Sequence, residues 1–207
     1  VTEFSLMNEN GEIIRCSREE NQDKFWATIG GMGLTGIILN AKFKLKNIES
    51  AYIRQESIKA ETLDEIFKLF DESESWTYTV AWIDCLQKGD KIGRSIMMRG
   101  EHAFSHELRG ESAKKPLRLK KKFSPNVPFF FPGFVLNALT VKLFNYFYYK
   151  KQTQKEVKNI TDYETFFYPL DAVGNWNKIY GKKGFIQYQM VIPKANGKEG
   201  MRKILET

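Results

Sequence analysis

The sequence predicts an α+β protein in which an antiparallel sheet carries its helices on one face. Three observations carry that expectation. The chain opens on a hairpin pattern, a strand, helix, strand, strand succession follows from residue 51 to residue 99, and capping signals mark where the helices begin. A hydrophobic share of 42% with 28% charged residues excludes a disordered chain and describes a folded globular one.

Residues 2–7 and 12–16 flank Asn8-Glu9-Asn10-Gly11, a hairpin with an Asn-Gly turn. Ser17-Arg18-Glu19-Glu20 has the form of a capping box and is expected to start a short helix leading to Phe25-Trp26. Next comes a segment with four glycines in seven residues, Gly30, Gly31, Gly33 and Gly36. Such a stretch demands sharp bends and lets something large come close to the backbone. Bare backbone of this kind most often holds a phosphate or a flat cofactor. No Gly-Lys-Ser/Thr follows, so it is not a Walker loop. The glycine spacing and the strand that follows also exclude the dinucleotide fingerprint. Leu39, Ala41, Phe43 and Leu45 alternate with Asn40, Lys42, Lys44 and Lys46, which predicts a strand with one buried face and one wet, cationic face.

Residues 47–50 form a boundary, after which residues 51–58 read as a strand. Thr62-Leu63-Asp64-Glu65 is a second capping box, and Leu63, Ile66, Phe67 and Phe70 mark one apolar helix face. Residues 76–84 and 94–99 alternate as strands. Residues 114–151 differ from the rest: Lys114, Lys115, Arg118, Lys120, Lys121 and Lys122 precede Phe129-Phe130-Phe131-Pro132 and an almost uniformly apolar stretch, residues 134–149. The stretch falls short of the roughly 20 apolar residues of a membrane span. It reads either as a basic–aromatic segment lying in a membrane interface or as a buried helix beside a solvated basic loop. Its cations and aromatics are segregated rather than interleaved, which argues against nucleic acid. Residues 184–193 predict a last strand, with Ile186, Tyr188, Met190 and Ile192 on one face. Gln187 and Gln189 fall on the other, either as part of an exposed sheet face or as paired amides suited to a hydroxyl-rich ligand or the polar edge of a flavin.

Cys16 and Cys85 match no metal spacing and read as reduced thiols. His102 and His106 are spaced i,i+4 without an evident third ligand, so no metal is expected. No signal peptide opens the chain. Both ends read as cut, one in a strand pattern and one in a helix, so an internal fragment is expected.

Several segments together resemble a known family. They are Phe25-Trp26-Ala27-Thr28-Ile29-Gly30-Gly31-Met32-Gly33-Leu34-Thr35-Gly36-Ile37-Ile38, Tyr78-Thr79-Val80-Ala81-Trp82-Ile83-Asp84, Lys91-Ile92-Gly93-Arg94-Ser95, Phe167-Tyr168-Pro169-Leu170-Asp171, Gly174-Asn175-Trp176-Asn177 and Gly184-Phe185-Ile186-Gln187-Tyr188-Gln189. In this order they resemble the bacterial FAD-linked oxidases of the vanillyl-alcohol oxidase / p-cresol methylhydroxylase superfamily. The resemblance implies a two-domain flavoenzyme. Residues 1–48 would be part of the second lobe of a split FAD-binding domain. Residues 49–207 would be a substrate (cap) domain, truncated at its C-terminal end, with residues 114–151 as a cover over the substrate entrance. It places Ile29, Gly30, Gly31, Gly33, Thr35, Gly36 and Ile37 against FAD, and Gln187, Gln189, Trp82, Phe167 and Trp176 near the substrate. Where the family carries a pocket tyrosine, this chain has Phe167 followed by Tyr168. The first FAD lobe and the catalytic base would lie outside the chain, leaving the fragment itself inactive. The implied activity is FAD-dependent oxidation of a carbinol of a sugar or polyol, with a polyprenyl-phosphate-linked cell-wall precursor among the candidates. A membrane surface and an epimerase-type reductase are the implied partners, in the cytoplasm or at the membrane of a bacterium. Two alternatives stand beside it: a membrane-surface module without catalysis, and an aldonolactone or alditol oxidase of the same superfamily.

Overall fold

The Asn-Gly turn does close a hairpin. In the computed structural model, which describes residues 1–120 and 122–207, strands β1 (Glu3–Met7) and β2 (Ile13–Ser17) pair antiparallel with Phe4 opposite Cys16. The Asn8 side-chain carbonyl accepts from the N–H groups of Asn10 and Glu12, both at 3.0 Å, and Gly11 takes φ 79°. Helix α1 (Gln22–Thr28) follows, and β3 (Ile37–Lys42) pairs with the other side of β1, giving the order β2-β1-β3. Phe25 of α1 is fully buried and stacks on Phe4 at 5.3 Å, so one aromatic anchors the helix on a core of Phe4, Leu6 and Cys16. The chain separates here into two units, Val1–Asn47 and Ile48–Thr207.

Two expectations for the first unit are corrected. The Ser17 motif does not cap α1: its hydroxyl accepts from Glu19 and Glu20, closing a turn at the end of β2. The helix instead starts behind Asn21, which is left-handed and makes no side-chain cap. Nor does β3 have a buried face, since all six of its residues are exposed and Leu45 beyond it is 82% exposed. A seven-residue helix with one buried anchor covers the β1–β2 side and leaves β3 bare.

In the second unit β4 (Tyr52–Ala60) is central. Helix α2 (Leu63–Glu72), β5 (Tyr78–Ile83) and β6 (Ser95–His102) follow, then the single turn α3 (Glu111–Lys114), α4 (Ala138–Lys151), β7 (Glu156–Asp162), α5 (Tyr163–Phe167) and α6 (Gly197–Glu206). The sheet is antiparallel throughout, in the order β5-β6-β4-β7. Thr62 caps α2 by accepting from the Glu65 N–H, while the Glu65 carboxylate takes the N–H of Glu61, one residue before the cap. Leu63 and Ile66 of α2 and Leu205 of α6 bury against Ala60, Ile92 and Met97. Gly93 lies under α2, where a Cβ would stand 2.6 Å from Leu63 Cα.

The helices do not keep to one face. Alternation puts Ala60, Met97 and Ile83 toward α2 and α6. The opposite face carries Trp82, Val80 and Tyr78 of β5, Ile96, Met98 and Gly100 of β6, and Ser57 and Gln55 of β4. Helices α4 and α5 reach that second face. The strand expected over residues 184–193 does not form: the segment is irregular, with Ile186 96% and Val191 93% exposed. A strand needs a ladder partner, and no described strand pairs with it.

Candidate functional site

In the first unit the glycine segment links α1 to β3. Gly30, Gly33 and Gly36 all have positive φ, at 78°, 78° and 139°, and Met32 is left-handed at 56°. The loop divides into positions that the fold fixes and positions that it leaves open. A Cβ on Gly31 would stand 2.2 Å from the Ala27 carbonyl oxygen, and one on Gly36 would stand 2.4 Å from the Met7 carbonyl oxygen. Those two glycines let the chain turn tightly off α1 and onto β1. A Cβ on Gly30 or Gly33 would meet nothing within 4 Å. The N–H groups of Ile29, Gly31 and Leu34 bond within the loop and to α1. Those of Gly30, Met32, Gly33 and Thr35 find no acceptor among the described residues. Thr35 is oriented by a 2.9 Å bond between its hydroxyl and that of Thr28. Ile29 and Ile37 stand exposed at the two ends. The result is an open platform with unpaired donors and apolar margins, suited to a flat ligand with a polar edge.

In the second unit, the sheet face away from α2 brings two of the expected substrate residues together. Trp82 lies at one end of β5, under Tyr148 of α4 with ring centroids 4.7 Å apart. Tyr78 lies at the other end, edge-on to Phe167 at 4.9 Å. They stand four residue steps apart along the strand, about 13 Å. Between them the face offers Val80, Met98, Ser57 and Gln55, with the Gln55 amide bonded to Ser57 Oγ at 2.7 Å. The other expected residues are not on this face. Trp176 packs with Tyr180 and Phe185 at 6.1 and 5.5 Å. Gln187 and Gln189 are exposed on the irregular segment. Tyr168, beside Phe167, lines a separate cleft with Lys122 and Tyr163.

A buried polar knot holds α4 over the sheet. Asp84 is fully buried and accepts from Arg94 Nη2 at 2.5 Å, Asn145 Nδ2 at 2.7 Å and Gln87 Nε2 at 3.0 Å. Arg94 and Lys59 both lie over the Tyr149 ring, at 4.7 and 4.1 Å. Burial pushes the Tyr149 phenol up and the Lys59 ammonium down, the latter helped by nearby Lys150. Asn145 and Tyr149 are the buried residues of α4. Leu139, Leu143, Phe144 and Phe147 are all more than half exposed, so the buried-helix reading of residues 134–149 fails. No helix among the described residues is long and apolar enough to cross a membrane. Within the basic run, Lys121 lies outside the described residues.

His102 Nδ1 is 3.0 Å from the Ser50 carbonyl, while His106 stacks on Phe104, so the two do not share a helix face. Among the described residues no group of His, Cys, Asp and Glu could hold a metal ion. Cys16 is buried and burial raises its thiol, as it does that of Cys85.

Sequence reasoning missed Gln55, Ser57, Met98 and the Asp84–Arg94–Asn145 knot. The strand alternation of Gln55 and Ser57 was a usable signal for the first two. The knot joins side chains 61 positions apart and had none.

No family model matches the chain. It is 36% identical over 198 residues to decaprenylphosphoryl-beta-D-ribose oxidase of Mycolicibacterium smegmatis, covering 93% of this chain and 42% of that protein. Shorter likenesses reach cytokinin dehydrogenase 3 of Arabidopsis thaliana, 44% identical over 46 residues, or 22% of this chain and 9% of that one. Cytokinin dehydrogenase 5 of the same plant is 37% identical over 76 residues, 37% of this chain and 13% of that protein. The chain spans less than half the length of these relatives. On this ordered similarity, running nearly from end to end of the chain, it belongs to the FAD-linked oxidase family.

Proposed function

We propose that the chain is part of an FAD-dependent oxidoreductase that oxidises a carbinol of a sugar carried on a polyprenyl phosphate. Residues 1–48 would serve its FAD-binding domain and residues 49–207 its substrate domain. The observation that carries this reading is the 36% identity, across 93% of the chain, to a protein whose name specifies oxidation of a decaprenylphosphoryl ribose. The open platform over Gly30 and Gly33, with its unpaired N–H groups, supports the cofactor assignment.

FAD, when bound, supplies the acceptor for the hydride. The chain's own residues supply position. The free N–H groups of Gly30, Met32, Gly33 and Thr35 would hold polar atoms of the cofactor, and Ile29 and Ile37 would flank it with apolar surface. Gly31 and Gly36 keep the loop in shape, because a side chain at either would collide with backbone. On the substrate side, Trp82 and Phe167 would offer flat apolar surfaces to a sugar ring at the two ends of one sheet face, while Trp176, off that face, is assigned to the substrate on the family resemblance alone. Gln187 and Gln189, exposed and off that face, are assigned to the substrate hydroxyls on the family resemblance, as amide donors and acceptors. The group that takes the hydroxyl proton lies outside this chain.

The exposed aromatics of α4, flanked by Lys142, Lys150 and Lys151, favour approach to an anionic membrane surface from which a lipid-linked substrate is drawn. Anaerobic reduction of the flavin in the intact protein tests the proposal. A polyprenylphosphoryl pentose should bleach it, and free alditols and aldonolactones should not. Bleaching by an alditol or aldonolactone alone would assign the alternative activity within the superfamily.

A further inference from the structure

The proposed oxidation leaves the basic segment between α3 and residue 120 unused. That segment is not a loose tail. The Pro116 carbonyl accepts from the Ala51 N–H at 2.9 Å, and the Tyr52 hydroxyl donates to the Arg118 carbonyl at 3.4 Å, which holds the segment against the start of β4. The Arg118 N–H closes a turn on the Lys115 carbonyl at 3.1 Å.

A cleft of about 280 Å³ opens beside this turn. Tyr52, Ser112, Lys115, Arg118 and Lys120 line it. The carboxylate in its lining is Glu111, which is already paired with Lys114 at 3.0 Å. Lys115, Arg118 and Lys120 have no carboxylate partner among the described residues. Many cations elsewhere in the unit are tied: Lys122 to Asp162, Lys155 to Glu65, and Lys158 and Arg99 to Glu56. Three uncompensated cations therefore line one concavity with a phenol and a hydroxyl. Leu119 and Lys120 also line a larger cleft of about 600 Å³, whose walls include Phe123, Tyr163 and Tyr168 together with the carboxylates Glu164 and Asp171.

We propose that the smaller cleft binds the phosphate of a phosphorylated ligand and that the larger, aromatic cleft takes the ligand's organic part. Arg118 offers a planar fork that matches two phosphate oxygens, and the lysines add point charges to the remaining oxygens. This site is independent of the flavin and goes beyond the proposed oxidation.

Calorimetric titration of the intact protein tests it, with inorganic phosphate, with geranyl phosphate, and with phosphatidylcholine vesicles containing phosphatidylglycerol. The variant Arg118→Gln/Lys120→Gln should weaken binding by about tenfold or more, since charge-assisted hydrogen bonds are lost. The control Lys182→Gln/Lys183→Gln removes the same charge from exposed positions outside both clefts and should leave binding unchanged. Tighter binding of geranyl phosphate than of inorganic phosphate would assign a prenyl-linked source. Equal affinities would assign free phosphate, and a cleft-dependent response to vesicles would assign lipid headgroups. No binding of any of the three, or equal weakening by the control variant, would overturn the proposal. The readout involves no flavin, so its failure leaves the proposed oxidation standing, and a failed bleaching experiment leaves the phosphate site standing.

Discussion

Gly11 and Gly33 form a natural matched pair. Their φ angles are 79° and 78°, and at both a Cβ would meet nothing within 4 Å. Replacing either by alanine imposes the same left-handed strain, about 1–2 kcal/mol, with no clash to add. Gly11→Ala and Gly33→Ala should therefore destabilise the protein equally, within about 0.5 kcal/mol of each other. Their effect on the cofactor should differ. Gly11 sits in the β1–β2 hairpin turn, outside the loop that forms the platform, whereas Gly33 is part of that loop. A methyl group at Gly33 fills space that a flat ligand would occupy and should weaken FAD by about tenfold or more, or 1.4 kcal/mol. The assay is urea unfolding of the intact protein without added flavin, paired with FAD titration followed by flavin fluorescence. Equal FAD affinity in the two variants would refute the assignment of Gly33 to the cradle, and a large difference in apo stability would refute the claim that the space there is open.

Other predictions follow from the second unit. Asp84→Ala strips the buried Arg94 of its counter-ion and should cost about 3–5 kcal/mol in urea unfolding; a loss under about 1 kcal/mol would mean that the knot does not hold α4. The Asp162 and Glu56 carboxyls both lie below their ordinary values: burial alone would raise them, but the bonds from Lys122 and Thr165 to Asp162, and from Lys158 and Arg99 to Glu56, outweigh it. A carboxyl whose folded pKa is depressed stabilises the protein fully above its ordinary value, 3.8 for Asp and 4.5 for Glu, and loses that contribution as pH falls through the folded pKa. Lys122→Met should therefore move acid unfolding to higher pH, and an unmoved transition would contradict the pairing. Phe144→Ser/Phe147→Ser should leave stability within about 0.5 kcal/mol, since both rings are exposed, while reducing co-sedimentation with anionic vesicles; undiminished sedimentation would remove α4 from the membrane reading. Gln189→Leu in the intact enzyme should lower kcat/KM by about tenfold, and unchanged kinetics would release Gln189 from the substrate.

What could be read in the sequence was local. The Asn8–Gly11 turn and the Thr62 cap depend on residues within four positions of one another, and both formed. The Ser17 motif was equally local but ambiguous, because the same hydroxyl can close a turn or cap a helix. Alternation located β4, β5 and β6, yet it could not say what covers a strand. Leu39, Phe43 and Leu45 alternate like a core face and remain exposed because α1 is too short to reach them. Residues 184–193 alternate like a strand and lack a ladder partner among the described residues. Trp82 was legible as a strand residue. Its neighbour Tyr148 lies 66 positions away, and the face it shares with Phe167 emerges only from the register of β5, β6 and β4. The glycine segment announced close approach. Only the folded loop separates Gly31 and Gly36, which the backbone itself fills, from Gly30 and Gly33, which face open space.

The central claim is that this chain helps to hold a flavin. Quantifying FAD in the purified intact protein tests it most directly, by releasing the bound nucleotide and measuring it against protein concentration. The account predicts stoichiometric FAD that declines in Gly33→Ala and persists in Gly11→Ala. Intact, folded protein that neither carries FAD nor takes it up on titration would contradict the account.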